Sequence, residues 1–235
     1  MSWDMGSMAS QPRGRFGTTG GSWDPMAHVG SIATASDCDE LVEGIGPDPV
    51  RSKAVSPTMT DDLQAMYRYL DTLTARPDLP RLLEALSRYE IDLDDVSEHV
   101  HFSEKGYRRN LVRSTPHYHA WILCWKNGQR SPIHDHSGSS CVVRVLRGTL
   151  TETLFEMAPN GHVKASFSRD IAEGSVIGSE DADIHQVSNL QADDADLVTL
   201  HVYSPPLTVM NTFSLYDRSR GQELWYAEFS DAAGI

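Results

Sequence analysis

From Tyr107 onward, the chain is a series of short apolar runs separated by turn signals. Runs rich in Val, Ile, Leu, Trp and Tyr predict strands over residues 121–125, 141–146, 149–155, 175–177 and 197–203. Turn dipeptides lie between the runs: Asn127-Gly128, Arg147-Gly148, Asn160-Gly161 and Glu173-Gly174. Many short strands at this spacing favour an all-β sandwich or barrel.

Two helical patterns precede these strands. The first has apolar residues at helical spacing: Leu63, Met66, Tyr67, Leu70 and Leu73. Thr60 or Asp61 can cap its start, and Pro77 ends it. The second opens at Pro80 and has one apolar face: Leu82, Leu83, Leu86 and Tyr89. We predict that both helices pack on the β domain and carry no chemistry.

The N-terminal part of the chain shows no apolar period. The stretch from Met1 to Gly30 is rich in Gly, Ser and Met, and it cannot bury enough surface to offset the entropy of ordering. We therefore predict a disordered N-terminal extension over residues 1–58, followed by one domain over residues 59–235.

Charge and composition exclude several classes of function. Lys and Arg total 20 against 33 Asp and Glu, so the formal net charge is −13. A chain this acidic is not expected to bind nucleic acid or an anionic membrane. No apolar run approaches the roughly 20 residues of a membrane span, and no secretory signal is evident. We expect a cytoplasmic protein.

The three cysteines do not indicate a disulfide framework. Cys38, Cys124 and Cys141 are an odd and sparse set, as is usual in a reducing compartment. There is no C-x-x-C motif, which argues against a structural zinc site. The ten histidines, a large number for this length, are the more informative residues.

Histidine pairs of the form H-x-H occur three times: His99/His101, His117/His119 and His134/His136. On a strand, residues i and i+2 point to the same face, so each pair could offer two imidazoles to one metal. A single pair is a weak signal. For the first two pairs we favour surface or edge-strand histidines without a ligand role.

The third pair lies in a more specific context. His134 and His136 follow Gly128 and precede Cys141 and Gly148, and this spacing resembles the first cupin motif. The second cupin motif is partly present as Gly174 followed by His185 and Asn189, with Glu180 and Ala182 in place of its usual Pro and Gly. The resemblance implies a cupin β-barrel, jelly-roll-like and mainly β, with N-terminal α-helices, in which His134, His136 and His185 bind a metal.

The usual glutamate ligand of the first motif is replaced by Cys141. Three neutral imidazoles would leave a divalent ion with its full charge, able to take an anionic thiolate and still accept O2. Fe(II) suits imidazole ligation and redox cycling, whereas zinc has no redox chemistry. We therefore expect Fe(II) as the cofactor.

Four segments resemble cysteine dioxygenase closely: Tyr107–Val112 (YRRNLV), Ile122–Trp125 (ILCW), Pro132–His136 (PIHDH) and Leu200–Pro206 (LHVYSPP). The resemblance extends from about Tyr107 to Asn211, and the helices from Thr60 are consistent with it. It implies that His134, His136 and His185 bind iron. It further implies that Arg109, with Tyr107 beside it, binds the substrate carboxylate, a task that the planar guanidinium suits.

The same resemblance gives roles to residues near the end of the β region. Tyr203 matches an active-site tyrosine, and Cys141 matches the cysteine that forms a thioether with it in animal members. Thr199 and His201 match a hydroxyl–histidine pair that orients the tyrosine, with threonine in place of the usual serine. Thr199, His201 and Tyr203 are spaced by two, so a strand would present them on one face. Met210 lies near a pocket position that is cysteine in animal members.

The resemblance implies a cysteine dioxygenase that oxidises L-cysteine with O2 to cysteine sulfinic acid. A rival function is a dioxygenase for 3-mercaptopropionate or another small thiol, but such members have glutamine at the position of Arg109. A non-catalytic metal-binding cupin and a metal-dependent isomerase on the same barrel also stay open. We expect only small molecules as partners, no nucleic acid, no membrane, and a monomer.

Overall fold

The computed structural model describes residues 60–180 and 182–224. The predicted disordered extension over residues 1–58 lies outside the described residues. All statements on the fold therefore refer to the part that carries the helical and β patterns.

Two α-helices open the described chain, α1 (Asp61–Leu70) and α2 (Leu79–Ser87), followed by a 3-10 helix (Leu93–His99). Thr60 caps α1, because its hydroxyl accepts a hydrogen bond from the Leu63 amide at 3.4 Å. Helix α1 ends at Leu70, before the predicted stop at Pro77. Pro80 lies in the first turn of α2, where its missing N–H is harmless. Across residues 60–180 and 182–224, no helix has the length and apolarity that a membrane crossing requires.

Eleven strands follow in the described residues. They are β1 (Arg108–Ser114), β2 (His119–Trp125), β3 (Ile133–His134), β4 (Ser140–Arg147), β5 (Leu150–Met157), β6 (Val163–Ile171), β7 (Val176–Ser179), β8 (Ile184–Ser188), β9 (Leu197–Ser204), β10 (Val209–Phe213) and β11 (Arg220–Leu224). The five predicted strands correspond to β2, β4, β5, β7 and β9. The other six were not predicted; β6, for example, is exposed along most of its length and has no continuous apolar run.

The strands form two antiparallel sheets. The five-stranded sheet has the order β1-β2-β9-β4-β7, and the six-stranded sheet has the order β11-β10-β3-β8-β5-β6. Sequence neighbours are often not sheet neighbours, so β4 pairs with β9 and β3 pairs with β8. Because of this connectivity, segments that are far apart in the sequence meet in the space between the two sheets.

The two faces of the five-stranded sheet pack against different parts of the molecule, one against the helices and the other against the six-stranded sheet. Alternate residues Ile122, Val142 and Leu200 face outward into an apolar cluster with both helices. Their neighbours, including Leu123, Val143 and Tyr203, face inward into a second cluster, which also contains Leu150 and Val187 from the six-stranded sheet. The predicted mainly β cupin barrel with N-terminal helices is therefore confirmed.

One glycine of the predicted turns is required by its surroundings. Gly148, between β4 and β5, has φ +82°, a conformation that side-chain-bearing residues rarely adopt. A Cβ at this position would lie 2.7 Å from the Asp196 carbonyl oxygen. The tight β4–β5 connection thus depends on glycine.

Candidate active site

A cavity lies between the inner faces of the two sheets. Its wall combines imidazoles, phenols and apolar groups: Tyr107, Leu123, Trp125, Ser131, His134, His136, His185, Val187, His201 and Tyr203. Six of the nine residues selected from the sequence as site residues line this cavity. Thr199, Cys141 and Arg109 lie behind or beside its wall.

Three histidines of this wall converge. His134 on β3 and His185 on β8 are cross-strand partners, and His136 follows two residues after His134. One ring nitrogen from each residue lies within 4.8 Å of the other two, and Nε2 of His136 and Nε2 of His185 are 3.2 Å apart. Within residues 60–180 and 182–224, this is the only cluster of metal-ligating side chains of this kind.

The His134/His136 pair does not lie on one strand as its spacing suggested. Strand β3 ends at His134, and His136 lies in a turn with positive φ at Ser137 (+41°) and Gly138 (+97°). The turn brings the two imidazole centroids to 5.4 Å. Backbone curvature, rather than strand alternation, therefore directs both rings to one point.

In two of the three histidines, Nδ1 is fixed by a hydrogen bond. His134 donates from Nδ1 to the Pro132 carbonyl at 2.9 Å, and His185 donates from Nδ1 to the Glu152 carboxylate at 3.0 Å. In both residues Nε2 therefore carries no proton, and its lone pair can bind a metal ion. This pattern fits a metal centre, because a ligating imidazole commonly donates its other N–H to a carbonyl or carboxylate.

Burial keeps two of the three imidazoles uncharged, those of His134 and His136. Desolvation, with the nearby His185 imidazole, lowers the pKa of both His134 and His136 well below the ordinary value. Both rings are thus neutral at pH 7, the form that binds a metal.

Glu152 was not selected from the sequence. It lies on β5 and is 2 % exposed, with its second oxygen bound by Arg169 at 2.9 Å (Nε) and 2.7 Å (Nη2). Burial raises the pKa of this carboxyl, but the hydrogen bond from His185 and the charge of Arg169 outweigh burial and hold the pKa below its ordinary value. A sequence signal existed, since Glu152 stands between Leu150 and Leu154 on the same strand face.

The relay predicted on β9 is present. Thr199, His201 and Tyr203 lie on one face of this fully buried strand. Nε2 of His201 is 2.9 Å from the Thr199 hydroxyl, and Nδ1 is 3.2 Å from the Tyr203 hydroxyl. Burial lowers the pKa of His201 to about 3 and raises the pKa of Tyr203 well above its ordinary value. At neutral pH the relay therefore consists of a neutral imidazole and a protonated phenol.

Trp125 extends this relay, although the sequence placed it in a predicted strand and in the ILCW segment without giving it a role of its own. Its indole Nε1–H donates to the Thr199 hydroxyl at 3.1 Å, which leaves the Thr199 proton available for another acceptor. The Trp125 ring also stacks on Tyr107, with ring centroids 4.2 Å apart and planes inclined by 14°. Trp125 thus joins the relay to Tyr107, which directly precedes β1.

Cys141 and Tyr203 are direct cross-strand partners on β4 and β9. Both are buried, and Cys141 is a free thiol. Burial raises the pKa of the Cys141 thiol, so it is protonated, while a hydrogen bond with Tyr203 acts in the opposite direction. The predicted crosslink pair therefore consists of adjacent residues.

Arg109 lies on β1, two residues after Tyr107, and is 5 % exposed. Its Nη1 is 3.5 Å from the carboxylate of Glu223 on β11. The charge of Arg109 acts on both neighbouring phenols: it opposes the rise in the pKa of Tyr203 and of Tyr107, whose pKa burial raises to about 12. Arg109 is thus close to the cavity but already faces a carboxylate of its own chain, which the sequence did not predict.

The remaining selected residues lie apart from the cluster. His119 on β2 is buried rather than on the surface, and His117 is exposed; neither belongs to the three-histidine cluster. The side-chain amide of Asn189, in the second motif, donates to the carbonyls of Trp125 and Ala195 at 3.0 and 2.8 Å. These hydrogen bonds hold the loop after β8 in place. Met210 on β10 is fully buried in the inner apolar cluster.

The family model described as "Cysteine dioxygenase type I" matches residues 53–217, well over half of the chain. This chain belongs to the cysteine dioxygenase type I family. The family and the three-histidine cluster together indicate a metal centre.

Curated relatives carry the same name. Human "Cysteine dioxygenase type 1" is 35% identical over 133 residues, which are 54% of this chain and 66%, just under two thirds, of the human protein. The cattle protein of that name is 31% identical over 170 residues, 69% of this chain and 82% of its own. Among solved structures, a Klebsiella pneumoniae protein with a double-stranded β-helix domain has a TM-score of 0.39 and 17% identity, covering 55% of this chain and 87% of that one.

Proposed function

We propose that this protein is a cysteine dioxygenase, which adds both atoms of O2 to the thiol sulfur of L-cysteine and yields cysteine sulfinic acid. The observation that carries the proposal is the convergence of three imidazoles and a tyrosine–histidine–threonine relay on one cavity. The conversion of a thiolate and O2 to a sulfinate is balanced without a further reductant.

The proposed cofactor is Fe(II), held by His134, His136 and His185. When bound, it supplies redox chemistry and acidifies the substrate thiol to the thiolate. The absence of a carboxylate among the three ligands supports a centre that accepts an anionic substrate. The three imidazoles and Tyr203 line the same cavity, which would accommodate substrate and O2 beside the metal.

Arg109 is the proposed partner of the substrate carboxylate. Its burial supports this role, since a guanidinium in a dry site binds a carboxylate more strongly than one in water. Glu223 would compete for this role, because a substrate carboxylate must either share Arg109 with the Glu223 carboxylate or displace it. A substrate held at Arg109 can be oriented for attack on its sulfur.

Tyr203 is proposed to donate its phenol proton toward the substrate or O2. Thr199 accepts a hydrogen bond from Trp125 and lies closer to His201 Nε2 (2.9 Å) than to the Leu123 carbonyl (3.4 Å). We infer that Thr199 donates to Nε2, so that Nδ1–H of His201 donates to the phenol oxygen. The phenol then keeps its own proton for donation, either to Cys141, with which it shares a hydrogen bond, or into the cavity.

A thioether between Cys141 and the ring of Tyr203 is part of the proposal. Their cross-strand pairing supports it, because the bond requires two side chains held in contact. Its formation removes two hydrogens, with O2 as the oxidant. The bond would lock the phenol and remove an oxidisable thiol from a site that handles O2.

The proposed setting is the cytoplasm, with residues 59–235 as a monomeric catalytic domain and residues 1–58 as an N-terminal extension. Cys124 and Cys141 are buried free thiols, as expected in a reducing compartment.

The test is O2 uptake by the Fe(II)-loaded protein with L-cysteine and, separately, with 3-mercaptopropionate, followed by mass spectrometry of the products. The proposal predicts uptake with L-cysteine, cysteine sulfinate as product, and much weaker turnover of 3-mercaptopropionate. A preference for 3-mercaptopropionate would contradict the Arg109 role. No uptake with either thiol, despite bound iron, would indicate a binding protein rather than an enzyme.

A further inference from the structure

The contacts of Glu152 differ from those of a carboxylate that only stabilises the fold. One oxygen accepts the Nδ1–H of His185 at 3.0 Å, and the other accepts two donors of Arg169 at 2.7 and 2.9 Å. Glu152 is 2 % exposed, whereas the Arg169 side chain is 20 % exposed. The carboxylate therefore joins the surface guanidinium to the buried imidazole.

A second pair on the same two strands provides an internal comparison. Glu156 on β5 and Lys164 on β6 are cross-strand partners, as are Glu152 and Arg169. The Glu156–Lys164 contact of 2.6 Å is 55–59 % exposed and contributes little to stability, as is usual for surface pairs. Glu152 instead faces the barrel interior, where an ion pair is often no better for stability than apolar packing. Its position is thus explained better by what it does to His185 than by stability.

We propose that Glu152, held in place by Arg169, is a positioning residue for the metal centre. It fixes His185 with the proton on Nδ1 and with Nε2 directed at the metal. The inference rests on the proposed three-histidine metal site but not on thiol oxidation.

The proposal also makes the ligands unequal. His134 donates to the neutral carbonyl of Pro132, whereas His185 donates to a carboxylate. An N–H bonded to an anion makes the opposite nitrogen more basic, so His185 is the stronger donor of the two. Glu152 would thus act on the metal through His185 rather than as a ligand itself.

The test compares substitutions at the two matched glutamates in the full chain. Fe(II) dissociation constants are measured by competition with a chelator for wild type, Glu152→Gln, Glu152→Leu and Glu156→Gln. We expect affinity to fall about 10-fold in Glu152→Gln and up to about 100-fold in Glu152→Leu, as is typical when such outer partners are removed. Glu156→Gln should stay within about twofold of wild type, as expected for an exposed pair.

A spectroscopic measurement separates positioning from a loss of fold. The visible absorption bands of the Co(II)-loaded protein depend on ligand strength and geometry, and they should shift in Glu152→Gln but not in Glu156→Gln. Arg169→Met should weaken Fe(II) binding in the wild-type background and have no further effect in Glu152→Leu, because Arg169 acts only through Glu152.

Wild-type Fe(II) affinity and unshifted Co(II) bands in folded Glu152→Gln and Glu152→Leu would overturn the inference. Equal losses in Glu152→Gln and Glu156→Gln would also overturn it. A wild-type protein that binds iron but oxidises no thiol would contradict the proposed function alone, and the predicted Glu152 effects would still support the inference. A wild-type protein without metal affinity would contradict both.

Discussion

In the cavity wall, the six-stranded sheet and its adjoining turn contribute three imidazoles, one of them backed by a carboxylate. The five-stranded sheet contributes the Tyr203 phenol, the Trp125 indole and the single imidazole of His201. His134 and His185 lie on very short or mid-length strands of the six-stranded sheet, and His136 lies in a turn. The relay residues instead lie on β9, an eight-residue strand in which every residue is buried.

This difference suggests a division of labour between the sheets. In the proposed function, the six-stranded sheet and its adjoining turn would hold the metal, and the five-stranded sheet would orient the substrate from a fully buried strand. A substitution in the first sheet should therefore remove the metal, whereas a substitution in the second should leave the metal and impair turnover.

The largest effect is expected for His185→Ala, which removes one of three ligands. Iron content should fall close to zero and thiol oxidation should be lost, because two imidazoles hold Fe(II) far more weakly than three. Iron per chain is measured by atomic spectrometry, with His117→Ala, an exposed histidine outside the cluster, as the control. A full iron load in His185→Ala would refute its ligand role.

A second large effect concerns acid stability of the metal-free protein. The folded pKa of His134, His136 and His201 lies below the unfolded value of about 6.5, so the unfolded chain binds more protons. Stability should be complete above about pH 6.5 and should fall as the pH decreases toward about 3, by up to about 1.4 kcal/mol per pH unit for each histidine. Urea unfolding at several pH values measures this free energy of unfolding.

His201→Phe separates the two sheets in this titration. The substitution removes the only titrating histidine of the three that lies in the five-stranded sheet. The free energy of unfolding should then depend less steeply on pH, and the remaining dependence should come from His134 and His136. A free energy of unfolding that is constant between pH 7 and pH 5 would contradict the burial of neutral imidazoles.

Arg109→Ala should reduce kcat/KM for L-cysteine about 100-fold, the loss expected for charge-assisted hydrogen bonds to a carboxylate, with iron retained. Arg113→Ala is the matched control, since Arg113 lies on the same strand but pairs with Asp71 at the surface. Glu223→Gln should lower KM a few-fold, because it frees Arg109 from a competing carboxylate. Unchanged kinetics in Arg109→Ala would exclude the carboxylate role.

Tyr203→Phe should lower kcat about 10-fold and leave both iron content and KM nearly unchanged, because only the hydroxyl at the end of the relay is lost. Tyr118→Phe removes another phenol, bonded to Asp71 at 2.9 Å on the helix-facing side, and should leave kcat unaltered. Loss of iron in Tyr203→Phe would show that the two sheets are not separable.

The smallest effect is expected for Cys141→Ser, which should change kcat only a few-fold, since the relay already holds Tyr203. Intact wild-type protein should contain a form two hydrogens lighter than its sequence mass, and Cys141→Ser should lack this deficit. Cys124→Ser, a buried thiol on the outer face, should keep it. An undiminished mass in active wild type would exclude the crosslink.

The sequence predicted elements with a strong apolar signal. The helix after Thr60 has a helical period, the strands β2, β4 and β9 are apolar runs buried on both faces, and the spacing of Thr199, His201 and Tyr203 is correct for one strand face. Strand β6 was missed because it has no continuous apolar run and is exposed along most of its length. The His134/His136 pair was selected by motif, but its geometry depends on a turn that strand alternation does not describe.

Two contacts between distant segments could not be predicted. The Glu152–His185 contact depends on the register of β5 against β8, and the Arg109–Glu223 contact joins β1 to the last described strand. Neither register is encoded locally, because each depends on how the two sheets close on each other. A single glutamate on an inward strand face could have drawn attention to Glu152, but not to its partner.

The most direct test of the account is oxidation of L-cysteine by the Fe(II)-loaded protein under a mixture of ¹⁶O2 and ¹⁸O2. If the metal and the relay act on one bound thiol, both oxygens of each sulfinate come from the same O2 molecule. The product should then carry either two ¹⁸O atoms or none. Sulfinate with a single ¹⁸O atom as the main labelled product would contradict the dioxygenase mechanism.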